Sequence, residues 1–320
     1  MILNNNSDLK KYVSISSSFI FADFEPYITK AINKYIHKYV GNLHIYLANE
    51  FDSSEDNFEV KNEAREHLRS AISNFGYFLF TPYNSIIMDS SGMSNVSNDQ
   101  RKPIEWWQLN DIRRDLLASG HDSMDLLLEV LEKNSDLFPD YAANYSTINT
   151  DLLIHSTSEF QKAYNIYDSR QTFLALLPTI RQVEDQYIKT FISPDLLLEL
   201  KSNDINDDFK PLKRYLQTAV VLFTISKVYD EGIFILDASG IRIKRDILPN
   251  EKTTGIDGNL SQEKITTVIK RHLENATNYI TLSREEIENN PGVFSSFENP
   301  LLQKELPKYQ VYNTKGVVGI

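Results

Sequence analysis

The chain has 320 residues, is 41% hydrophobic, carries a net charge of −11 and contains no cysteine. Its length and apolar content suffice for two cores of ordinary size, at roughly 150 residues per domain. The composition excludes disulfides, cysteine nucleophiles and thiolate metal sites, and the acidic balance argues against a general nucleic-acid binder, which needs a basic footprint to release counterions from phosphate. No run approaches ~18 apolar residues, and the Asn- and Ser-rich start lacks a charged region leading into an apolar one. A soluble protein without a cleaved signal or a membrane partner is therefore expected.

Taken in chain order, the elements come in two sets. Residues 1–15 (MILNNNSDLKKYVSI) are answered by residues 152–166 (LLIHSTSEFQKAYNI). Ile2/Leu153, Leu3/Ile154, Ser7/Ser158, Leu9/Phe160 and Ile15/Ile166 share one offset of 151 (158 − 7). Each stretch reads as an apolar stub and a short helix, N-capped by Ser7 or Ser158, that turns Leu9 or Phe160 inward. Pro26 and Pro178, 152 apart (178 − 26), then open PYITKAINKYI and PTIRQVEDQYI as longer helices. Ile28, Ala31, Ile32, Tyr35 and Ile36 recur at helical spacing in the first, and Ile180, Val183, Tyr187 and Ile188 in the second. A short break and a further turn follow in each, LHIYLANEF and SPDLLLELK.

The longest helices are predicted over residues 60–80 and 209–229. One face of the first carries Ala64, Leu68, Ala71, Ile72, Phe75 and Leu79; its counterpart carries Leu212, Leu216, Ala219, Val220, Phe223 and Val228. Asp89-Ser-Ser-Gly92 and Asp237-Ala-Ser-Gly240, offset by 148 (240 − 92), follow apolar runs and mark β-hairpins, the second the stronger because Ile241-Arg-Ile243 alternates. Helices over 104–119 and 262–281, then over 123–133 and 283–290, complete each set. Offsets that keep their order and drift only by small indels are what a duplicated domain gives. The expected fold is mainly α: two tandem duplicated helical-bundle domains, residues 1–151 and 152–290, each with a projecting β-hairpin. An extended C-terminal tail, residues 291–320, follows. That tail is punctuated by prolines yet rich in large apolar residues, too greasy for a solvated linker. Docking through Phe294, Phe297, Leu301, Leu302, Tyr309 and Tyr312, along its own chain or on a neighbour, is the expected use.

The search for chemistry returns no site. The six histidines form no HExxH and no compact ligand set. Asp52, Glu55, Asp56 and Glu59 lack the glycine and terminal glutamate of an EF-hand. Lys252 and its two glycines stand in the wrong order for a phosphate-binding loop, and Asp89 and Asp237 are turn formers. Neither an enzyme nor a cofactor is expected. Trp106 and Trp107 are the local exception. Adjacent helical residues point about 100° apart, so one is expected to pack inside and the other to face a partner. With Ile241 and Ile243 of the stronger hairpin, they complete the expected set of oligomer or partner contacts.

Three stretches also carry a resemblance: residues 173–188 (FLALLPTIRQVEDQYI), residues 126–139 (LLLEVLEKNSDLFP), and Phe75-Gly-Tyr-Phe-Leu79 ahead of the first turn. Across most of residues 1–290 the chain resembles an uncharacterised structural family of Bacteroidota phages and prophages, encoded near capsid and portal genes. It is similar to the neck ring proteins of crAss-like phages and to helical head-to-tail connectors. The resemblance implies a homo-oligomeric ring of about twelve copies in the virion neck, made in the host cytoplasm. Such a ring contacts the portal protein and other neck or tail rings, and DNA passes through it without specific binding. Glu59, Glu63, Glu66, Asp204, Asp207 and Asp208 near the long helices would suit a channel that repels phosphate. The rival expectation is an intracellular all-α module that binds a protein or peptide and has no virion role.

Overall fold

The computed structural model describes residues 2–302, apart from positions 55, 85, 90–91, 96–103, 144–150, 203, 229–233, 237–239, 244–247 and 249–261. The chain divides into two compact units, Met1–Ile148 with Arg245–Thr253 and Asn149–Lys244 with Thr254–Ile320. The fold is mainly helical, and each unit contains one two-stranded antiparallel hairpin among its described residues.

In unit 1, Ile2 and Leu3 are buried, and the Ile2 carbonyl accepts a 3.0 Å hydrogen bond from Arg69 Nε. Helix α1 (Asn6–Leu9) is capped by Asn5, whose side chain accepts from the Ser7 and Asp8 amides at 2.8 and 3.0 Å. Ser7, the expected cap, thus lies inside the helix. Helix α2 (Phe21–Ala31) passes through a π turn, Ile32–Ile36, into α3 (His37–Val40), which Gly41 ends at φ +53. That left-handed angle suits a residue without Cβ. Beyond α4 (Leu43–Leu47) comes the pillar α5 (Phe58–Asn84), which packs on α2 and on α6 (Trp106–Lys133). Leu68, Ala71, Ile72 and Phe75 are fully buried on α5, as the periodicity predicts. Its last buried turn departs from that face: Leu79 is half-buried, whereas Phe80 packs into an aromatic cluster with Phe19, Phe24 and Tyr27. Strands β1 (Ile86–Asp89) and β2 (Gly92–Asn95) pair with Ile86 opposite Asn95 and Asp89 opposite Gly92. A last short helix, α7 (Pro139–Tyr141), buries Tyr141.

Unit 2 is built from a like series. Its stub, Leu152 to Ile154, is buried, and the Leu153 carbonyl accepts from Gln217 Nε2 at 2.8 Å. Helix α8 (Thr157–Gln161) is capped by Ser156, two residues before the predicted Ser158, because only Ser156 has the extended backbone that lets its hydroxyl meet the Glu159 amide. Helix α9 (Arg170–Val183), capped by Ser169, enters a π turn at Glu184–Ile188. Next come α10 (Pro194–Lys201) and the pillar α11 (Lys210–Val228). Strands β3 (Phe234–Leu236) and β4 (Ile241–Ile243) pair with Phe234 opposite Ile243. Helix α12 (Gln262–Asn289) packs along α11, and α13 (Pro291–Phe294) follows.

Three details recur in both units. Each π turn begins six residues after a proline inside the preceding helix, 32 − 26 and 184 − 178. The tyrosine it carries stacks on a phenylalanine of the pillar: Tyr35 on Phe75, with centroids 4.2 Å apart and planes 14° apart, and Tyr187 on Phe223, at 4.3 Å and 4°. The pillar also ties down the N-terminal stub through Arg69 or Gln217, side chains 148 positions apart (217 − 69).

Four expectations are corrected. The helices predicted as 104–119 plus 123–133 are one, α6, and those predicted as 262–281 plus 283–290 are one, α12. Gly120 does not break α6; it lets α6 approach Phe75 so closely that a Cβ there would lie 2.6 Å from the ring. Ser123 and Ser283, whose type suits a cap, instead bond back to the Ser119 and Tyr279 carbonyls one turn earlier, at 2.8 Å each. The second hairpin does not project freely. Ile241 is 1% exposed and its amide bonds to the Asn165 carbonyl at 3.1 Å, while the Ile243 amide reaches Thr172 Oγ1 at 3.3 Å, so β4 lies against α9. Gly240 permits that approach, since a Cβ there would meet the Asn165 carbonyl oxygen at 2.4 Å. Finally, Phe294 is 1% exposed and packs edge-on against Phe209, and Phe297 packs on the same ring. The first part of the tail belongs to unit 2's own core.

Candidate functional site

Unit 1 leaves one end of its helical layer bare. The first ten residues of α6, from Trp106 to Asp115, include none that is buried; the packed stretch begins at Leu116. Leu109, Asn110, Arg113 and Arg114 are half-buried, with Arg113 stacked 4.8 Å from the Phe78 ring centroid, and the exposed side chains of this stretch lie on the other sides of the helix. Trp106 is 58% and Trp107 52% exposed, so the expectation that one of them packs inside is not met. Ile104, Ile112 and, at the end of α5, Tyr83 are also exposed. An indole exposes a large apolar face, and anchors of this kind are enriched where proteins bind one another. For Ile112 the signal lay in the sequence of α6 itself, where apolar side chains point to several sides of the first turns instead of one stripe.

The remaining expected contacts separate into three groups. Ile241, Ile243, Phe294, Phe297 and Leu301 are buried or half-buried within unit 2, so their apolar surface is largely spent on their own core. Leu302 is 48% exposed. Tyr309 and Tyr312 lie outside the described residues. The acidic residues expected near the pillars divide likewise. Glu59, Glu63, Asp204, Asp207 and Asp208 are exposed. Glu66 is half-buried, accepting from Tyr12 Oη at 2.5 Å and pairing with Arg69 at 3.3 Å, which makes it a structural carboxylate. Burial, together with Glu66, raises the Tyr12 phenol well above its ordinary pKa, so it stays a donor to that carboxylate.

Unit 2 contains a buried ion pair. Glu184, 1% exposed on the π turn, lies 2.8 Å from Lys201 Nζ, and its other oxygen accepts the Leu153 amide. Lys201 also donates to the Asp151 carbonyl. One carboxylate and one ammonium thereby join the stub, the π turn and the end of α10. Beside Lys201 opens a pocket of about 300 Å³, lined by Asp151, Lys189, Pro194, Leu197, Leu198 and Lys201. Its wall is apolar and its rim charged. Among the described residues no three His, Cys, Asp or Glu side chains come together as metal ligands, and no helix is long and apolar enough to cross a membrane.

His272 on α12 is buried, its ring edge-on to Tyr164 at 5.2 Å, and neither ring nitrogen has a hydrogen-bond partner. Burial first, and the neighbouring Arg271 second, hold its pKa below the ordinary 6.5. A base with a depressed folded-state pKa favours the native state above the unfolded-state pKa, and this contribution disappears as pH falls through the folded value. The melting temperature is therefore expected to drop on going from pH 7 to pH 5 by more in the wild type than in His272→Leu. Parallel melting curves across that range would show that the imidazole does not contribute.

The chain matches a family of unknown function, DUF6712, in two stretches, residues 29–150 and 176–304. No curated protein and no solved structure matches it. The matched stretches contain both π turns, both pillars and both hairpins, that is, the greater part of each helical unit. On this coverage of more than half its length, the chain belongs to the DUF6712 family.

Proposed function

We propose that this protein is a duplicated helical connector, a structural component of a tailed-phage virion that forms a homo-oligomeric ring at the neck, joining portal to tail around the DNA path. Duplication is supported by the three recurring details, the π turn after a proline, the Tyr–Phe stack and the tethered stub, and by a family match that falls in two stretches. The observation that carries the ring reading is the bare, tryptophan-bearing start of α6. A ring subunit needs an adhesive surface that meets a different surface on the next copy. An exposed double-tryptophan turn at one end of a helical layer is such a surface. The exposed acidic side chains around both pillars suit a wall that lets DNA slide past.

The test is negative-stain imaging of the purified chain, alone and mixed with a tailed-phage portal protein. Rings, or particles coaxial with portal, are the expected result; single particles indifferent to portal at micromolar concentration would overturn the reading. Trp106→Ser with Trp107→Ser should leave the melting temperature within a few degrees of wild type, since both side chains lie outside the core. The same substitutions should weaken assembly at least ~30-fold, the counterpart of one interface hot spot of about 2 kcal/mol. Analytical ultracentrifugation reads both the species and the shift.

A further inference from the structure

The chain carries both a knob and a hole, one in each unit. The knob is the first turn of α6. Trp106 and Trp107 are the only tryptophans in the sequence, and both are exposed. They have no counterpart in unit 2, for α6 and α12 both run for 28 residues but α12 opens on Gln262 and Glu263. The hole is the pocket beside Lys201. Pro194, Leu197 and Leu198 give it an apolar lining, and Leu198, at 72%, is the most exposed of the large apolar residues described. Lys189 and Lys201 add two ammonium groups. A space of about 300 Å³ is at the lower end for a ligand pocket and suits one large side chain better than a cofactor.

We infer that the Trp106–Trp107 turn of one copy inserts into the Leu198 pocket of the next. The inference rests on the self-association in the ring reading and names the surface that the tryptophans meet. Side-chain chemistry favours this occupant. An ammonium at the edge of an apolar pocket is matched best by an indole, whose ring face attracts a cation more strongly than that of tyrosine or phenylalanine. Charge order fits as well, since the exposed Glu105 directly precedes the tryptophans and the pocket offers Lys189. Both lysines already have partners, Lys189 in Asp185 at 2.6 Å and Lys201 in Glu184 at 2.8 Å. The charges therefore orient the insertion, and burial of apolar surface supplies most of the affinity. Knob and hole are different patches. A contact between them is heterologous, so it repeats from copy to copy instead of ending at a dimer, as a ring requires.

Tryptophan emission reads the contact directly, because both indoles of the chain lie in the knob. The emission is expected to move to shorter wavelength as the full-length chain is concentrated through the micromolar range, in step with the rise in mass seen by analytical ultracentrifugation. Leu198→Asp, at a site outside the core, should keep the melting temperature within a few degrees of wild type, remove the spectral shift and weaken association at least ~30-fold. Mixing variants then isolates this contact from any other. Leu198→Asp keeps the knob, and Trp106→Ser with Trp107→Ser keeps the hole. Each alone should stay monomeric, and their equimolar mixture should form a heterodimer and nothing larger. Assembly of Leu198→Asp as strong as that of wild type, or a mixture without heterodimer, would overturn the inference and leave the ring reading standing. An emission already at short wavelength and unchanged by dilution would put the indoles against their own chain and overturn it as well. A wild-type chain that stays monomeric throughout would overturn both.

Discussion

Replacing Phe223 by alanine is expected to destabilise unit 2 by about 3–5 kcal/mol, and replacing Phe75 by alanine to do the same to unit 1. Both rings are buried, at 4% and 0% exposed, and each stacks on the tyrosine of its π turn at 4.3 or 4.2 Å. Truncation removes the transfer free energy of an aromatic side chain and leaves a cavity, because neighbouring helices relax only partly. It also removes the partner that holds the widened turn in register. A π turn lacks the regular i to i−4 ladder and persists only where tertiary packing favours it. Phe75 bears a further load, since Gly120 lies against the same ring. Urea unfolding should place both variants well below Leu198→Ala, a truncation at an exposed site. A loss under about 1 kcal/mol for either would show that the stack does not anchor the turn.

Lys201→Met is expected to cost about 3–5 kcal/mol, the usual penalty for removing one partner of a buried ion pair. Lys201 faces Glu184 at 2.8 Å with side-chain exposures of 13% and 1%, so the orphaned carboxylate would keep only the Leu153 amide. Most of the cost is that stranded charge, not the intrinsic worth of the pair. Combining Lys201→Met with Glu184→Gln should therefore recover much of the loss, because the neutral amide still offers an oxygen to Leu153. A double variant no more stable than Lys201→Met would show that the ammonium acts chiefly through the Asp151 carbonyl. Unit 1 offers a comparison, for its π turn opens with Ile32 where unit 2 has Glu184. Both turns share the Tyr–Phe stack, and unit 2 adds the ion pair at the position where unit 1 has the half-buried Ile32.

Much of this architecture can be read from residue spacing. Leu68, Ile72 and Phe75, and Leu212, Leu216 and Phe223, recur at helical intervals because a buried pillar must present one apolar stripe, and all are buried. The Asp-x-Ser-Gly turns mark both hairpins because the turn chemistry is local. What escaped the sequence depends on contacts distant along the chain. The predicted gap between residues 119 and 123 is closed because Gly120 lets α6 run on against the Phe75 ring, where a Cβ would not fit. Ser123 and Ser283 have the composition of caps but bond one turn backwards, a choice made by helix continuity. Each π turn follows a helix-internal proline by six residues, but the stack across to the pillar that accompanies it is a contact distant along the chain. Ile241 and Phe294 looked adhesive because nothing near them in sequence covers them, yet Asn165 and Phe209 do. Exposure at Trp106 and Trp107 was half legible: adjacent tryptophans cannot share a face, but only the packing boundary at Leu116 shows that both lie outside the core.

The same placements change how the tail should be cut in any assembly experiment. A deletion from Pro291 would remove Phe294 and Phe297 and damage unit 2, whereas one beginning at residue 303 spares every core contact described. The most direct measurement of the ring proposal is native mass spectrometry of the full-length chain, with and without the portal protein, at micromolar concentration. A closed ring predicts one dominant species at a single integer multiple of the chain mass, present alone or appearing with portal, and dispersed by Trp106→Ser with Trp107→Ser. A monomer under both conditions, unchanged by that double substitution, would contradict it.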